Sequence, residues 1–228
     1  DLVREIAVLK CLDHPHVLHL IAVYTDDDYM YMVTEYFPRG SLDQFCRAED
    51  YSCPQIAESD LKVIVKCVLL ALKYLHEHNI IHRDVKPDNI MLCEDGTTKL
   101  IDFGFATEPK EEPAREWEKL GSPLFTAPEI ATTSPGFIYG TPVDIWSLGI
   151  TIMSMFVNPY PTEKMIKGRF RDELACFVKT LKFRAGPWGD KPVIKDAVLK
   201  GVMEACITWM PSKRPSAENI LETHYKNQ

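Results

Sequence analysis

The sequence predicts an α+β chain in which one helix and two strands precede a mostly helical bulk. Three observations carry this. Apolar residues at helical spacing open the chain, two short strand-like runs follow, and stretches of helical periodicity dominate after Gly40. In order, Leu2, Ile6, Leu9 and Leu12 predict a helix over residues 1–12, stopped at His14-Pro15 because proline disfavours helical geometry in the residue before it. Residues 17–24 and 29–35 read as strands joined by a turn through Asp26, Asp27 and Asp28. Ser59 and Asp60 are expected to cap a long helix that ends near His78 and Asn79. Short strands over 90–93 and 99–101 flank a Glu94-Asp95-Gly96 turn. A polar loop over 107–119 and helices over 142–156, 192–208 and 216–223 complete the chain.

Composition bounds the partners. With 228 residues and 46% hydrophobic content, the chain can bury one substantial core. Its 26 Lys and Arg against 33 Asp and Glu leave a formal charge of -7, which argues against nucleic-acid binding and gives no support for docking on an anionic membrane. Seven cysteines without a Cys-x-x-Cys pair read as reduced, mostly buried thiols. No apolar run reaches membrane-spanning length and no signal-peptide pattern opens the chain, so the expected setting is intracellular and cytoplasmic.

Four segments carry chemistry. His82-Arg83-Asp84-Val85-Lys86-Pro87-Asp88-Asn89 follows a long helix and precedes a short strand, so it projects as a loop from a packed base. It offers a carboxylate for a hydroxyl proton (Asp84), an ammonium for a phosphate (Lys86) and an amide oxygen for a metal (Asn89). Asp102-Phe103-Gly104 places a carboxylate at a strand end, where glycine permits close approach to Mg2+, a hard cation that takes few protein oxygens. Gly121 to Glu129 closes the polar loop, and Asp144-Ile145-Trp146-Ser147-Leu148-Gly149 opens a helix, where Asp144 also complements the helix dipole.

The first segment matches the His-Arg-Asp-x-x-x-x-Asn signature, and the set together resembles the catalytic domain of eukaryotic-type serine/threonine protein kinases, from residue 1 to about 224. The resemblance implies a protein-kinase-like fold: a partial N-lobe over 1–35 (the αC helix and two strands) and a helical C-lobe with catalytic loop and activation segment over 36–228. It implies transfer of the γ-phosphoryl group of ATP, with Mg2+, to Ser or Thr hydroxyls of protein substrates. Asp84, Lys86, Asn89 and Asp102 would be catalytic, with Asn89 and Asp102 on the metal. Glu35 and Phe37 would offer backbone groups to adenine behind a Thr34 gatekeeper, with Lys86, Asn89, Met91 and Asp102 also in the nucleotide site. Glu5 resembles the αC glutamate, and Leu9, Leu20, His82 and Phe103 fall where the family stacks its regulatory hydrophobic column. Asp144 would brace the catalytic loop from below, and Arg214 would pair with Glu129. Lys86 two residues after Asp84, with the Ser122 segment, favours the serine/threonine class. Ala127-Pro128-Glu129 argues against a small-molecule kinase.

The sequence departs from the family in two places. It contains no Gly-x-Gly-x-x-Gly loop and no Val-Ala-Ile-Lys strand, so Glu5 lacks its lysine and adenine its roof. The expectation is a truncated kinase domain, with a pseudokinase-like, non-catalytic protein-binding module as the alternative, and weak binding of Mg-ATP by residues 1–228 alone. In the activation loop, Glu118 stands where cyclic-nucleotide-dependent relatives carry a phosphorylatable threonine. It is either a permanent charge facing Arg83 or a solvated glutamate among several.

Overall fold

A computed structural model describes residues 2–46, 56–108, 123–132, 139–156 and 194–226 of the chain. Helix α1 spans Leu2–Leu9 and buries Ile6 and Leu9. It ends earlier than its apolar spacing predicts, because Cys11 and Leu12 bond back to Val8 and Leu9 in a tighter turn.

Strands β1 (Leu20–Thr25) and β2 (Met30–Thr34) pair antiparallel, with Tyr24 opposite Tyr31 and a register shift between Leu20 and Ala22. The Asp26 carboxylate builds their turn by accepting the Asp28 and Tyr29 amides and the Tyr31 hydroxyl. The expected strand over 17–24 is split. Val17 bridges in parallel to Leu100, and Leu18 donates to the Leu100 carbonyl, so the start of that run belongs to a second sheet. That sheet is the hairpin β3 (Ile90–Leu92) and β4 (Thr98–Leu100), registered with Ile90 opposite Leu100.

Helix α2 spans Leu42–Cys46 and α3 spans Glu58–Glu77. The expected Ser59-Asp60 cap is incorrect: the helix starts at Glu58, with Ala57 as an N-cap that supplies no side-chain hydrogen bond. The Glu58 carboxylate instead accepts the amides of Lys195 and Asp196, tying α3 to the start of a distant helix. At its other end, Ile80 donates to Leu75 and Asn79 to His76, with Asn79 at φ 56, which closes α3 in a left-handed turn and delivers the chain to Ile81 and His82.

Helix α4 spans Pro128–Thr132 and α5 spans Pro142–Ser154. Every residue of α5 from Val143 to Ser154 is buried, the state expected of a helix that is apolar on all sides. Helices α6 (Ala197–Cys206) and α7 (Ala217–His224) are capped by Asp196 and Ser216, whose side chains accept the Leu199 and Asn219 amides. The main core joins α3, α5, α6, α7 and the β3–β4 hairpin through residues such as Leu72, Leu75, Leu100, Leu148, Leu199 and Ile220.

Gly149 lets α5 meet the end of α6. A Cβ there would stand 2.7 Å from the Cys206 Cβ, 2.8 Å from the Ile207 Cγ2 and 3.2 Å from the Ile207 amide nitrogen. Gly149→Ala is therefore expected to destabilise the domain by about 1–3 kcal/mol in urea unfolding, through overpacking. An unchanged midpoint would show that the two helices can separate freely.

Among the described cysteines none is in a disulfide. Cys67 and Cys206 are buried, Cys46 and Cys93 are half-buried, and Cys11 is exposed. Burial pushes the Cys46 and Cys206 thiols up to about 11 and about 12, which keeps both protonated.

Candidate active site

The loop after α3 is organised by one buried carboxylate. Asp144, in the first turn of α5, accepts the His82 amide at 2.9 Å and the Arg83 amide at 2.8 Å, while the His76 ring from α3 meets it at 2.9 Å. Burial acts to raise the Asp144 pKa. The hydrogen-bonded His76 ring, the nearby His82 ring and the Arg83 amide outweigh it and hold the carboxyl below its ordinary value. A depressed carboxylate contributes stability above its unfolded value of about 4, and that contribution is lost as pH falls through the folded value. Asp144→Asn should therefore lower stability at neutral pH and flatten the loss seen below about pH 4. Parallel acid-unfolding curves for the two proteins would contradict this.

Arg83 sits at φ 70, a left-handed conformation rare for a residue with a side chain. His82 has a defined tautomer. Its Nδ1 accepts the Asp84 amide at 3.2 Å, so its Nε2 carries the hydrogen that it donates to the Ile101 carbonyl at 3.0 Å. The His82 ring packs edge-on against Phe103, with ring centroids 4.9 Å apart. Phe103 is fully buried in the main core with Leu9, and Leu20 packs against that core.

The loop brings three of the sequence-selected side chains together. Asp84 Oδ2 accepts the Lys86 ammonium at 2.6 Å and the Asn89 amide at 2.9 Å, and Asn89 also donates to the Asp84 carbonyl at 2.9 Å. Both amide hydrogens of Asn89 are thus turned toward Asp84, which leaves its side-chain oxygen as the end available to a cation. The hairpin adds the fourth residue: Ile101 donates to the Asn89 carbonyl at 3.0 Å, and Asp102 is the next residue at that end of the hairpin. Asp102 is also left-handed, at φ 64. Its neighbour Phe103 donates its amide to Glu5 Oε1 at 3.1 Å, and Gly104 donates to Asp102 Oδ1 at 3.3 Å. Glu5 on α1 therefore has a backbone partner in this chain.

These donors suit Mg2+, which binds through one or two protein oxygens, its own waters and substrate phosphates. Among the described residues no group of three or more His, Cys, Asp or Glu is placed to hold a metal ion.

At the segment between β2 and α2, the Glu35 side chain accepts the His19 amide and the Lys99 ammonium, each at 2.8 Å, holding the segment against β4. This task of the side chain was not legible in the sequence, which pointed only to Glu35 and Phe37 backbone groups. Phe37 accepts the Gly40 amide at 3.1 Å, and Met91 lies half-buried on β3 opposite Lys99. Gly40 has φ +70, a backbone conformation that L side chains rarely adopt, so glycine is required there.

Arg214 meets Glu129 through two hydrogen bonds, at 2.7 Å and 3.1 Å, with both side chains buried. Glu118 and Ser122 lie outside the described residues. The sequence reading missed His76, Lys99 and Tyr139, each brought to the site from a distant segment with no local motif to mark it.

The family model for the protein kinase domain matches residues 1–226. The chain belongs to the protein kinase family. The chain is similar to serine/threonine-protein kinase pak-2 of Caenorhabditis elegans, with 38% identity over 178 residues, covering 75% of this chain and 32% of that protein. Serine/threonine-protein kinase PAK 5 of Rattus norvegicus is 31% identical over 224 residues, covering 96% of this chain and 29% of that protein. Serine/threonine-protein kinase GRIK2 of Arabidopsis thaliana is 30% identical over 226 residues, covering 97% and 52%. The chain thus spans from under a third to about half of the length of these relatives. The chain has the α+β fold its sequence predicts, with two small two-stranded sheets and a helical bulk among the described residues. Among its described residues no helix is long and apolar enough to cross a membrane.

Proposed function

We propose that this kinase domain transfers the γ-phosphoryl group of Mg-ATP to serine and threonine hydroxyls of protein substrates. The observation that supports this most is the Asp84 carboxylate held between Lys86 and Asn89, with Asp102 at the adjoining hairpin end. Asp84 would orient the substrate hydroxyl and accept its proton. Lys86 would neutralise charge on the transferred group, and Asn89 and Asp102 would hold Mg2+ by their oxygens. When bound, the metal supplies charge neutralisation on the phosphates. The backbone groups of Glu35 and Phe37 would receive adenine, with Met91 in the same site. Residues 1–35 would form part of the small lobe, and 36–228 the large one. The left-handed backbones of Arg83 and Asp102 cost on the order of 1–3 kcal/mol each and persist because surrounding bonds hold them, the pattern of a preorganised site.

The test is transfer of labelled phosphate from ATP to a basic protein by the intact protein, followed by phosphoamino-acid analysis. Label on Ser or Thr that requires Mg2+ is expected. Nucleotide affinity that is equal with and without Mg2+ would remove the metal assignment of Asn89 and Asp102. No transfer under any divalent cation, with the fold intact, would favour a non-catalytic binding module.

A further inference from the structure

Within the phosphoryl-transfer reading above, we infer that Tyr139 is a positioning residue: its phenol oxygen holds the Arg83 guanidinium and so sets the register of the loop that carries Asp84. Arg83 immediately precedes Asp84 and has a strained backbone, at φ 70. Its amide is fixed by Asp144 Oδ1 at 2.8 Å. Its side chain is fixed twice, by Nε donating to the Phe105 carbonyl and by Nη1 donating to the Tyr139 hydroxyl at 2.6 Å. Among the described residues, both acceptors of this guanidinium are therefore neutral.

Tyr139 and Asp144 belong to one rigid unit. Tyr139 precedes the turn into α5, where Val143 donates to Gly140 and Asp144 to Thr141. The Tyr139 ring packs on a second buried cluster that includes Ile81, Leu124, Phe125, Val143 and Trp146. The entry to α5 thus grips Arg83 at two points, backbone amide and guanidinium. The Phe105 carbonyl anchors the same side chain to the residues after Asp102. Moreover, Ile81 and Thr107 exchange hydrogen bonds at 2.8 and 3.0 Å, closing the same junction from the far side. The phenol oxygen is the one contact of this set that a single substitution removes without altering packing. A loop left free to shift by about 1 Å beside a catalytic base can lose up to about 100-fold in rate.

The experiment compares the intact wild-type protein with Tyr139→Phe, which keeps the ring and deletes the oxygen. The expected result is a fall in kcat of about tenfold. KM for ATP and for peptide should stay within about twofold, and Tm within about 2 °C. Nitrogen NMR of the arginine side chains supplies a readout independent of turnover. Wild-type Arg83 should show separate, slowly exchanging Nη signals because its guanidinium cannot rotate, and these should merge in Tyr139→Phe. Signals that stay separate in the variant would overturn the contact. Merged signals with unchanged kcat would overturn the positioning role, as would a loss of kcat that only tracks a loss of Tm. A wild-type protein without transferase activity would remove the kinase reading, and the NMR comparison would still decide whether Tyr139 holds Arg83.

Discussion

Asp84→Asn is expected to lower turnover of the intact kinase by at least about 100-fold while leaving ATP affinity within a few-fold of wild type. The carboxylate accepts from Lys86 at 2.6 Å and from Asn89 at 2.9 Å, so it is held in one orientation before substrate arrives. Asparagine keeps the size and one acceptor oxygen but cannot take a proton from a hydroxyl. The nucleotide loses little, because its proposed contacts are to Lys86, Asn89, Asp102 and backbone groups near Glu35. The measurement is steady-state kinetics with a Ser or Thr peptide, paired with nucleotide titration of the same protein. Retained turnover in Asp84→Asn would sink the base assignment, and a parallel collapse of nucleotide affinity would move Asp84 into the nucleotide site.

Arg214→Met should destabilise the domain by about 3–5 kcal/mol, the usual cost of leaving one member of a buried ion pair without the other. Arg214 does more than pair with Glu129: it donates to the carbonyls of Thr208, Pro142 and Trp209. Its guanidinium also lies 5.1 Å from the centre of the Trp146 ring. It therefore joins α4, the entry to α5 and the turn before α7. Arg214→Lys should lose much of the same stability, because an ammonium cannot reproduce the planar fork. Glu129→Leu in the Arg214→Met background should restore part of it by removing the stranded carboxylate. Urea unfolding monitored on the domain transition checks all three. A cost below about 1 kcal/mol for Arg214→Met would mean that water screens the pair in solution.

Much of the candidate catalytic loop was legible because its chemistry is local. Asp84, Lys86 and Asn89 fall within one short loop, and Pro87 with the strand after it limits the conformations that loop can take. Helix α5 was legible as a buried helix from its composition, and Ser216 marked the start of α7 correctly. The misreadings have particular physical causes. Ser59 looks like an N-cap, but Glu58 has a tertiary acceptor role toward Lys195 and Asp196, and the helix already begins at Glu58. Residues 17–24 look like one strand, yet Leu100 captures Val17 and Leu18 while β2 takes Leu20 onward.

The sequence by itself determined which chemical groups this kinase presents, since side-chain identity and short spacing are written in the chain: an aspartate, a lysine and an asparagine on one loop, and a second aspartate after a strand. Only the tertiary structure decided what holds those groups in place. Asp144 comes from a helix some sixty residues downstream of the loop it braces. Glu5 reaches the Phe103 amide across almost a hundred residues, Glu35 is claimed by Lys99, and Tyr139 meets Arg83. Asp144 is marked by the motif that opens its helix, whereas the pairings with Phe103, Lys99 and Tyr139 have no local signature. A hydrogen bond or ion pair between distant residues depends on where packing of apolar faces brings two backbones, and that packing is a property of the whole fold.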